Sequence, residues 1–278
     1  MDTSSLWVHE AVNRSQPTSQ RPLFLLIPGL VAIAFLVIPL VGLLAEAPWG
    51  SFGAILTSQV ALEALRISLI TSIAATAIAI VIGTPLAWLL AREVLPGTRV
   101  LRAMVIVPLL LPPVVSGVIL LTAFGRRGLV GQWLYTALGI QLPFTTAGVI
   151  IAETFVAMPF LIITMEGAFR SLDGRFEDAA STLGASQWTT FRRVTLPLVG
   201  PSLMAGAVLC WARALGEFGA TITFAGNFPG VTQSMPLAVY QALETDRSTA
   251  IALSLVMLTV CIVVLVALRG RYLRPGSS

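Results

Sequence analysis

Six long apolar runs dominate this sequence, and each approaches the roughly 20 residues that a helix needs to cross the core of a bilayer. They cover residues 23–44, 67–90, 101–124, 146–168, 202–224 and 249–268. Hydrophobic residues make up 56% of the chain and charged residues only 11%, too few for the surface of a soluble globule of 278 residues. The pattern predicts an all-α, polytopic membrane protein with six transmembrane helices and short connections.

The distribution of arginine predicts the orientation of these helices. The sequence contains no lysine, so all 17 basic residues are arginines. If both termini are cytoplasmic, Arg66, Arg126, Arg127 and Arg247 fall outside, and nearly all the others fall inside. The positive-inside rule therefore places both termini in the cytoplasm. Topology thus explains the net charge of +4, and the arginines form no stripe of the kind that binds nucleic acid.

Three parts follow from this topology. We expect a cytoplasmic tail over residues 1–22, a six-helix transmembrane domain over 23–269, and a second cytoplasmic tail over 270–278. Residues 45–47 imitate a signal-peptidase site. The apolar run before them is longer than the about 7–15 residues of a signal-peptide core, which favours a retained first helix.

Few side chains suit catalysis or metal binding. His9, the only histidine, lies in the first tail, and Cys210 and Cys261 lie within apolar runs, so neither a metal site nor a disulfide is expected. A phosphate-binding loop of the Walker type needs a lysine, which this chain lacks. We therefore expect the chain to bind no cofactor of its own, so that ATP and Mg²⁺ would be bound by a partner protein.

Prolines interrupt three of the predicted membrane helices. Pro108, Pro112 and Pro113 lie within ten residues of one run, while Pro85 and Pro159 each stand alone in another. Each proline removes a backbone donor and favours a kink. Kinked helices suit a protein that lines a pathway and moves, although proline is also simply more common in membrane helices. For Pro85 and Pro159 both interpretations stay open.

Charged residues within the apolar runs are costly. An arginine at the centre of a membrane helix costs about 2.5–3.5 kcal/mol. Arg213 and Glu217 lie four residues apart on one helical face, close enough to pair, in the weaker of the two orientations. The pair either shapes a route for an anion or locks its helix to a neighbour. Glu153 is a candidate partner for Arg213, and Glu166 is expected to reach water near the cytoplasmic end.

A polar segment, residues 170–197, separates the fourth and fifth runs. Its sequence predicts a helix over 176–183, a break at Gly184, and a second helix over 187–194 that Ser186 caps. Pro197 then marks the entry to the fifth run. A short helical hairpin tied at both ends to membrane helices would pass movement on to them. The segment is therefore either a docking element for a soluble partner or an ordinary solvated loop.

This segment resembles the EAA loop of ABC importer permeases. Asp178 stands where the family usually has glutamate, and Val194, Leu196 and Pro197 follow Gly184 at the family's spacing. The aspartate keeps the charge but shortens its reach. In that family the loop couples the permease to the ATPase. The resemblance extends the coupling loop over about residues 170–199 and assigns to it Glu177, Asp178, Ala179, Ala180, Gly184, Ala185 and Pro197.

Two further stretches resemble oxyanion permeases. Residues 108–117 are similar to the third-helix signature of molybdate and sulfate permeases, and residues 213–237 are similar to the molybdate branch. Sulfate permeases tend to carry tyrosine and serine where this chain has Phe218 and Ala220. The resemblance covers about residues 60–270. It suggests as translocation-pathway candidates Arg213, Glu217, Phe218, Pro112, Pro113 and Ser116.

The resemblance implies a type I ABC importer permease in the bacterial cytoplasmic membrane. The expected partners are a second copy of the chain, two copies of an ATP-binding cassette ATPase, the lipid bilayer and an extracytoplasmic molybdate-binding protein, but no nucleic acid. Residues 225–248 are a candidate docking surface for that binding protein, or an ordinary connector. Alternating access would carry molybdate, and the sequence does not separate it from tungstate.

Other functions are less well supported. A sulfate or thiosulfate permease is the first alternative. An ion-driven secondary transporter often shows an internal repeat, which is not evident here. A membrane enzyme would need a polar catalytic cluster, and the sequence contains no such constellation.

Overall fold

The computed structural model describes residues 23–272, with side chains over 24–267. The predicted tail over residues 1–22 and most of the tail over 270–278 lie outside the described residues. The described residues are mostly helical and contain no strand. The chain divides after Glu46 into two compact units, and the first contains a single described helix, Leu23–Ala45 (α1). Its 23 residues are enough to span a bilayer.

The second unit contains the other helices. They are Phe52–Leu56 (α2), Gln59–Ile78 (α3), Thr84–Ala91 (α4), Thr98–Leu110 (α5), Pro113–Phe124 (α6), Gly131–Leu138 (α7), Thr146–Ser171 (α8), Arg175–Thr182 (α9), Gln187–Thr190 (α10), Leu196–Leu198 (α11), Gly200–Leu215 (α12), Gly219–Ala225 (α13), Met235–Thr245 (α14) and Arg247–Tyr272 (α15). Two π-helical turns, Ala79–Gly83 and Phe191–Thr195, join α3 to α4 and α10 to α11.

Four helices of the described chain are long and apolar enough to cross a membrane by themselves. They lie at 24–45, 59–91, 146–171 and 247–267. The second of these is continuous, because the π-helical turn before Pro85 lets the helix accommodate a proline that has no backbone N–H to donate. Pro159 is likewise accommodated inside α8. Both helices therefore continue past their single proline, and at Pro85 the helix is distorted by the π-helical turn that precedes it.

The third predicted run is bent by 120° between α5 and α6. The backbone of Leu111 and Pro112 is extended, and Pro113 opens α6, so the two adjacent prolines end one helix and start the next. Pro108 is tolerated inside α5. The predicted interruption of this run by its prolines is therefore confirmed, and the span exists as a bent pair of helices.

The fifth predicted run is also broken. Residues 187–198 and 200–215 form a pair bent by 71°, and the helical chain stops at Leu215 rather than continuing to Phe224. Gly216, Glu217 and Phe218 lie outside any helix before α13 begins. The described chain thus has four spans, or six if each bent pair counts as one.

Helix α8 forms the centre of the second unit, since it packs against α3, α4, α12 and α13. Alanines are frequent in the buried clusters around it, including Ala75, Ala87, Ala157 and Ala214, all with essentially no exposure. Without large side chains between them, the helices approach closely, which is how membrane helices gain packing energy. Three predicted connections contain short helices that the sequence reasoning missed, α2, α7 and α14.

The two broken runs meet where α6 packs against α13. A Cβ atom added to Gly117 would lie 2.5 Å from Thr223 Cβ, and one added to Gly219 would lie 2.5 Å from Pro113 Cβ. Glycine therefore sets the distance between these two helices. We infer that the breaks at Pro112 and at 216–218 are held in fixed register.

Substitution of Gly117 by alanine tests this close contact. We expect the free energy of unfolding to fall by about 1–3 kcal/mol, the usual cost of overpacking. Gly167, inside α8 with nothing within 4 Å of an added Cβ, provides the matched control. There the same substitution should be neutral or stabilising by about 0.5 kcal/mol. Thermal unfolding of the purified variants in detergent measures both, and equal effects would contradict the tight packing.

Candidate functional site

The polar segment folds as the helical hairpin that the sequence predicted, with shifted boundaries. Helix α9 covers 175–182, and the second helix starts at Gln187 and continues through the π-helical turn 191–195 into α11. Ser186 caps it, because its hydroxyl accepts a hydrogen bond from Thr189 N at 3.3 Å. Pro197 lies in the first turn of α11, just before the 71° bend into α12.

Gly184 makes the turn between the two helices. Its φ is +81°, in the left-handed region that glycine adopts without a steric penalty. Within the part of the chain that the structure describes, no neighbouring atom lies within 4 Å of an added Cβ. The residue is therefore required by backbone conformation and not by crowding from its own chain.

The two adjacent acidic residues face different surroundings. Glu177 points to the bundle, where Arg92 Nη2 lies 2.5 Å from Oε2 and the Thr195 hydroxyl donates to Oε1 at 2.7 Å. Asp178, which the sequence placed at the family's glutamate position, is exposed. Ala179 is exposed as well, whereas Ala180 and Ala185 are half-buried. Glu177 thus fixes the hairpin from inside and leaves Asp178 on its outer surface.

Large apolar side chains are exposed on the same hairpin. Leu183 is 88% exposed, Trp188 69% and Phe176 53%. Trp188 stacks on Phe191 with ring centroids 6.1 Å apart. A groove of about 650 Å³ runs between the hairpin and α4 and is lined in part by Pro85, Trp88, Asp178, Ala185, Trp188 and Phe191. Exposed aromatic and aliphatic side chains beside a groove are typical of a surface that binds another protein.

A second cluster of charges lies at the same end of the bundle. Glu166 accepts from Arg102 Nε at 2.7 Å and pairs with Arg170 Nη2 at 3.2 Å. It is only 7% exposed, so the expectation that it reaches water was wrong. Both arginines also lie 3.7–4.0 Å from Glu93, which follows α4. The four-residue spacing of Glu166 and Arg170 is a local signal for their pair, whereas Arg102 lies 64 residues from Glu166 in the chain, and this contact has no local signal.

Glu217 and Arg213 form a local ion pair, with Arg213 Nη1 2.6 Å from Glu217 Oε2. The other carboxylate oxygen, Oε1, accepts the backbone N–H of Ala220 at 2.8 Å, in the first turn of α13. Glu217 is 1% exposed. It therefore links the last turn of α12 to the first turn of α13 across the helix break.

Glu153 does not pair with Arg213, so that expectation was wrong. Its Oε1 accepts a hydrogen bond of 2.8 Å from the hydroxyl of Thr71, which joins α8 to α3. Its Oε2 has no hydrogen-bond partner among the described residues, although Glu153 is only 1% exposed. Arg213 instead pairs with Glu217, which lies four residues further along the chain, just after the end of α12.

The remaining candidate residues lie around the two helix breaks. Pro112 and Pro113 are exposed, and Ser116 is 1% exposed within α6. Phe218 is half-buried, and its ring lies 5.1 Å from that of Tyr240. The structure therefore brings Pro113 and Ser116 of α6 into the region where α13 begins, while the residues of the helical hairpin form a separate group.

The connection between α13 and α15 is packed and not a loose loop. Gly226 and Gly230 have φ values of +75° and +73° at its turns. Thr232, Gln233 and Ser234 are buried, and Met235 N donates to the Ser68 hydroxyl at 2.7 Å. Within the described residues, no group of three or more His, Cys, Asp or Glu side chains is placed to hold a metal ion.

Comparison with known proteins gives consistent matches. The family described as binding-protein-dependent transport system inner membrane component matches residues 79–276. The molybdenum transport system permease protein ModB of Mycobacterium tuberculosis is 43% identical over 255 residues, which cover 92% of this chain and 96% of the relative. ModB of Escherichia coli is 38% identical over 211 residues, covering 76% and 92%. The sulfate transport system permease protein CysT of Escherichia coli is 33% identical over 234 residues, covering 84% of each.

Solved structures share the fold. A bacterial ABC transporter chain involved in alginate import has a TM-score of 0.66 at 20% identity, covering 88% of this chain and 91% of that one. A chain of the MetNI methionine ABC transporter, in inward-facing conformations, has a TM-score of 0.58 at 17% identity, covering 75% and 92%. At these identities the likeness concerns the fold alone, and it confirms the predicted fold class.

Proposed function

The chain belongs to the family of binding-protein-dependent transport system inner membrane components, and from this premise we propose that it is the permease subunit of a molybdate importer. It is a transport subunit and not an enzyme, so ATP hydrolysis falls to a separate ATPase. The higher identity to molybdenum permeases than to a sulfate permease supports molybdate. Phe218 and Ala220, where sulfate permeases tend to differ, support the same choice.

The exposed helical hairpin carries the transport proposal. We propose that residues 170–199 are the coupling loop and dock on an ATP-binding cassette ATPase through Asp178, Leu183 and Trp188. The inner side of the hairpin is bonded to the bundle through Glu177, while its outer side exposes the large apolar side chains of Leu183 and Trp188 together with Asp178. A loop without a docking role would expose no such pair of large apolar side chains. Two chains would then bind two ATPase subunits.

We propose that the translocation pathway passes the two helix breaks. Pro112 and Pro113 open α6, and residues 216–218 separate α12 from α13, so backbone polar groups are released from helical pairing there. Broken helices next to each other can reorient while the long helix α8 stays in place. In this proposal Glu217 holds the shape of the break, and Ser116 and Phe218 lie along the route. The extracytoplasmic binding protein selects the oxyanion and delivers it to this region, with residues 225–248 as its docking surface.

Reconstitution tests this function directly. The chain is co-expressed with its ATPase, inserted into liposomes, and supplied with binding protein loaded with molybdate. We expect ATP-dependent uptake of molybdate that requires the binding protein, and hydrolysis that the loaded protein stimulates. Sulfate should compete poorly when the molybdate-binding protein is used.

Control conditions separate the alternatives. Uptake driven by an ion gradient in the absence of ATP would contradict the importer and favour a secondary transporter. If the complex with the matching binding protein imports sulfate in preference to molybdate, sulfate is the substrate and the ATP-driven mechanism is retained. Tungstate should be carried together with molybdate, because the two tetrahedral dianions have similar size and charge.

A further inference from the structure

The turn between α4 and α5, residues 92–97, contacts the coupling loop and the bundle through two consecutive residues. Arg92, at the end of α4, holds Glu177 of the coupling loop. Glu93 points the other way, with its Oε1 3.7 Å from Arg170 and 4.0 Å from Arg102. Two adjacent residues of opposite charge therefore contact partners that lie on opposite sides of the turn.

The backbone of the turn supports this arrangement. Glu93 has φ +54°, in the left-handed region that few residues other than glycine adopt. Such a conformation persists where the surrounding contacts determine it. Here Glu93 caps the end of α4 in a Schellman motif, in which Glu93 N donates to the Leu90 carbonyl at 3.4 Å and Val94 N donates to the Leu89 carbonyl at 3.3 Å. Arg102 Nη2 donates to the same Leu90 carbonyl at 3.4 Å. The left-handed residue directs Arg92 and Glu93 to different neighbours.

Both sides of the turn are firmly anchored. On the inner side, the buried carboxylate of Glu166 joins Arg102 of α5 to Arg170 of α8. On the outer side, Glu177 is held by Arg92 and by the hydroxyl of Thr195, so α9 is fixed to both the turn and the π-helical turn. Charge-assisted hydrogen bonds of this kind are directional, unlike the apolar contacts beside them.

We propose that the turn between α4 and α5 is a second mechanical connection, through which movement of the coupling loop reaches α5 and α8. Arg92 and Glu177 are positioning residues in this connection, and neither contacts substrate or nucleotide. The inference rests on the proposed coupling function of the hairpin. The covalent ends of the loop lead only to α8 and α12, whereas α5, which ends at the Pro112 break, is reached through the turn. The connection would therefore move α6 in step with α12.

Removal of the Arg92 charge, and exchange of the charges of Arg92 and Glu177, test the connection. Each variant is measured in the reconstituted complex with ATPase and molybdate-loaded binding protein. Arg92→Gln should lower the amount of molybdate imported per ATP hydrolysed about tenfold, the effect of losing one charge-assisted hydrogen bond. Arg92→Lys should keep most of this coupling ratio. The double variant Arg92→Glu/Glu177→Arg should recover at least half of it. Arg99→Gln is the matched control, because Arg99 is exposed, lies near the same turn and forms no ion pair among the described residues.

Assembly and thermal unfolding are measured for every variant, so that a folding defect is recognised. A coupling ratio for Arg92→Gln equal to that of Arg99→Gln overturns the inference while leaving the importer intact. A charge exchange that assembles with the ATPase but stays as poorly coupled as Arg92→Gln also overturns it. If Arg92→Gln does not fold, the coupling ratios of the double variant and of Arg92→Lys test the inference in its place. Failure of the wild-type complex to import molybdate at all would instead reject the proposed function.

Discussion

We expect Gly184→Val to reduce the stimulated ATP hydrolysis and the molybdate uptake of the complex by tenfold or more. A β-branched residue at φ +81° is a strong conformational outlier, and a left-handed backbone costs an ordinary residue about 1–2 kcal/mol. The hairpin must then open its turn, which displaces Leu183 from the proposed docking surface. Since about 1.4 kcal/mol corresponds to a factor of ten in an equilibrium, the strain alone accounts for much of this loss.

Two further substitutions separate backbone strain from crowding. Gly184→Asn should retain most activity, because asparagine tolerates the left-handed region better than other residues that carry a side chain. Gly174→Val is the matched control in the same loop, at φ −60° and ψ −20°, with nothing within 4 Å of an added Cβ. It should assemble and transport nearly as well as the wild type.

The measurements are co-purification with the ATPase and hydrolysis stimulated by the loaded binding protein. Thermal unfolding of the isolated permease should change little in any of these variants, because the turn is exposed and makes no core contact. If Gly184→Asn fails as severely as Gly184→Val, the partner crowds the position and the backbone argument is wrong. If all three variants are active, the hairpin does not couple hydrolysis to transport.

The hairpin could be predicted from the sequence because its signals are local. Gly184 breaks the helix and Ser186 caps the next one, and each acts on residues within four positions of itself. The same is true of the break at Pro112 and Pro113, where two adjacent prolines end α5. The size of the bend, 120°, follows from tertiary packing of α6 on α13 and has no local signal.

Contacts between distant parts of the chain could not be predicted. The partner of Glu153 is Thr71, 82 residues away, and Arg92 binds Glu177 across 85 residues. Charge alone suggested that Glu153 pairs with Arg213, yet a hydroxyl of a neighbouring helix lies closer. In a membrane bundle, hydroxyl groups are frequent partners of buried acids because water is absent. Which hydroxyl faces which acid depends on helix rotation, and the composition of one segment does not determine it.

The helix missed in the 225–248 connection illustrates a different limit. Its opening Pro236 and the preceding Ser234 are ordinary start signals, but the turn residues before them suggested a loop. Burial of 232–234 against α3 fixes the start of α14, and this contact is visible only in three dimensions. Short amphipathic helices between spans are therefore easily read as connectors.

The ion pair at the second helix break gives the other large expected effect. Arg213→Ala would leave the Glu217 carboxylate buried and without its countercharge, which costs about 3–5 kcal/mol in comparable buried pairs. Glu217→Ala would release the N–H of Ala220 as well, but the arginine is partly exposed and can reach water or headgroups, so about 2–3 kcal/mol is expected. Thermal unfolding of each variant in detergent, with Arg193→Ala as an exposed control, measures these losses.

The double variant Arg213→Met/Glu217→Gln distinguishes a structural role of the ion pair from a role in transport of the anion. Glutamine can still accept the N–H of Ala220 through its amide oxygen, and methionine removes the charge that would be left without a partner. We expect this variant to regain most of the stability and also most of the molybdate uptake, because Glu217 forms its ion pair with Arg213 and accepts the N–H of Ala220 within the chain. A double variant that is stable and assembles with the ATPase but does not transport would show that Arg213 acts on the anion. The pair would then belong to the pathway, and the break between α12 and α13 would serve to present its charge.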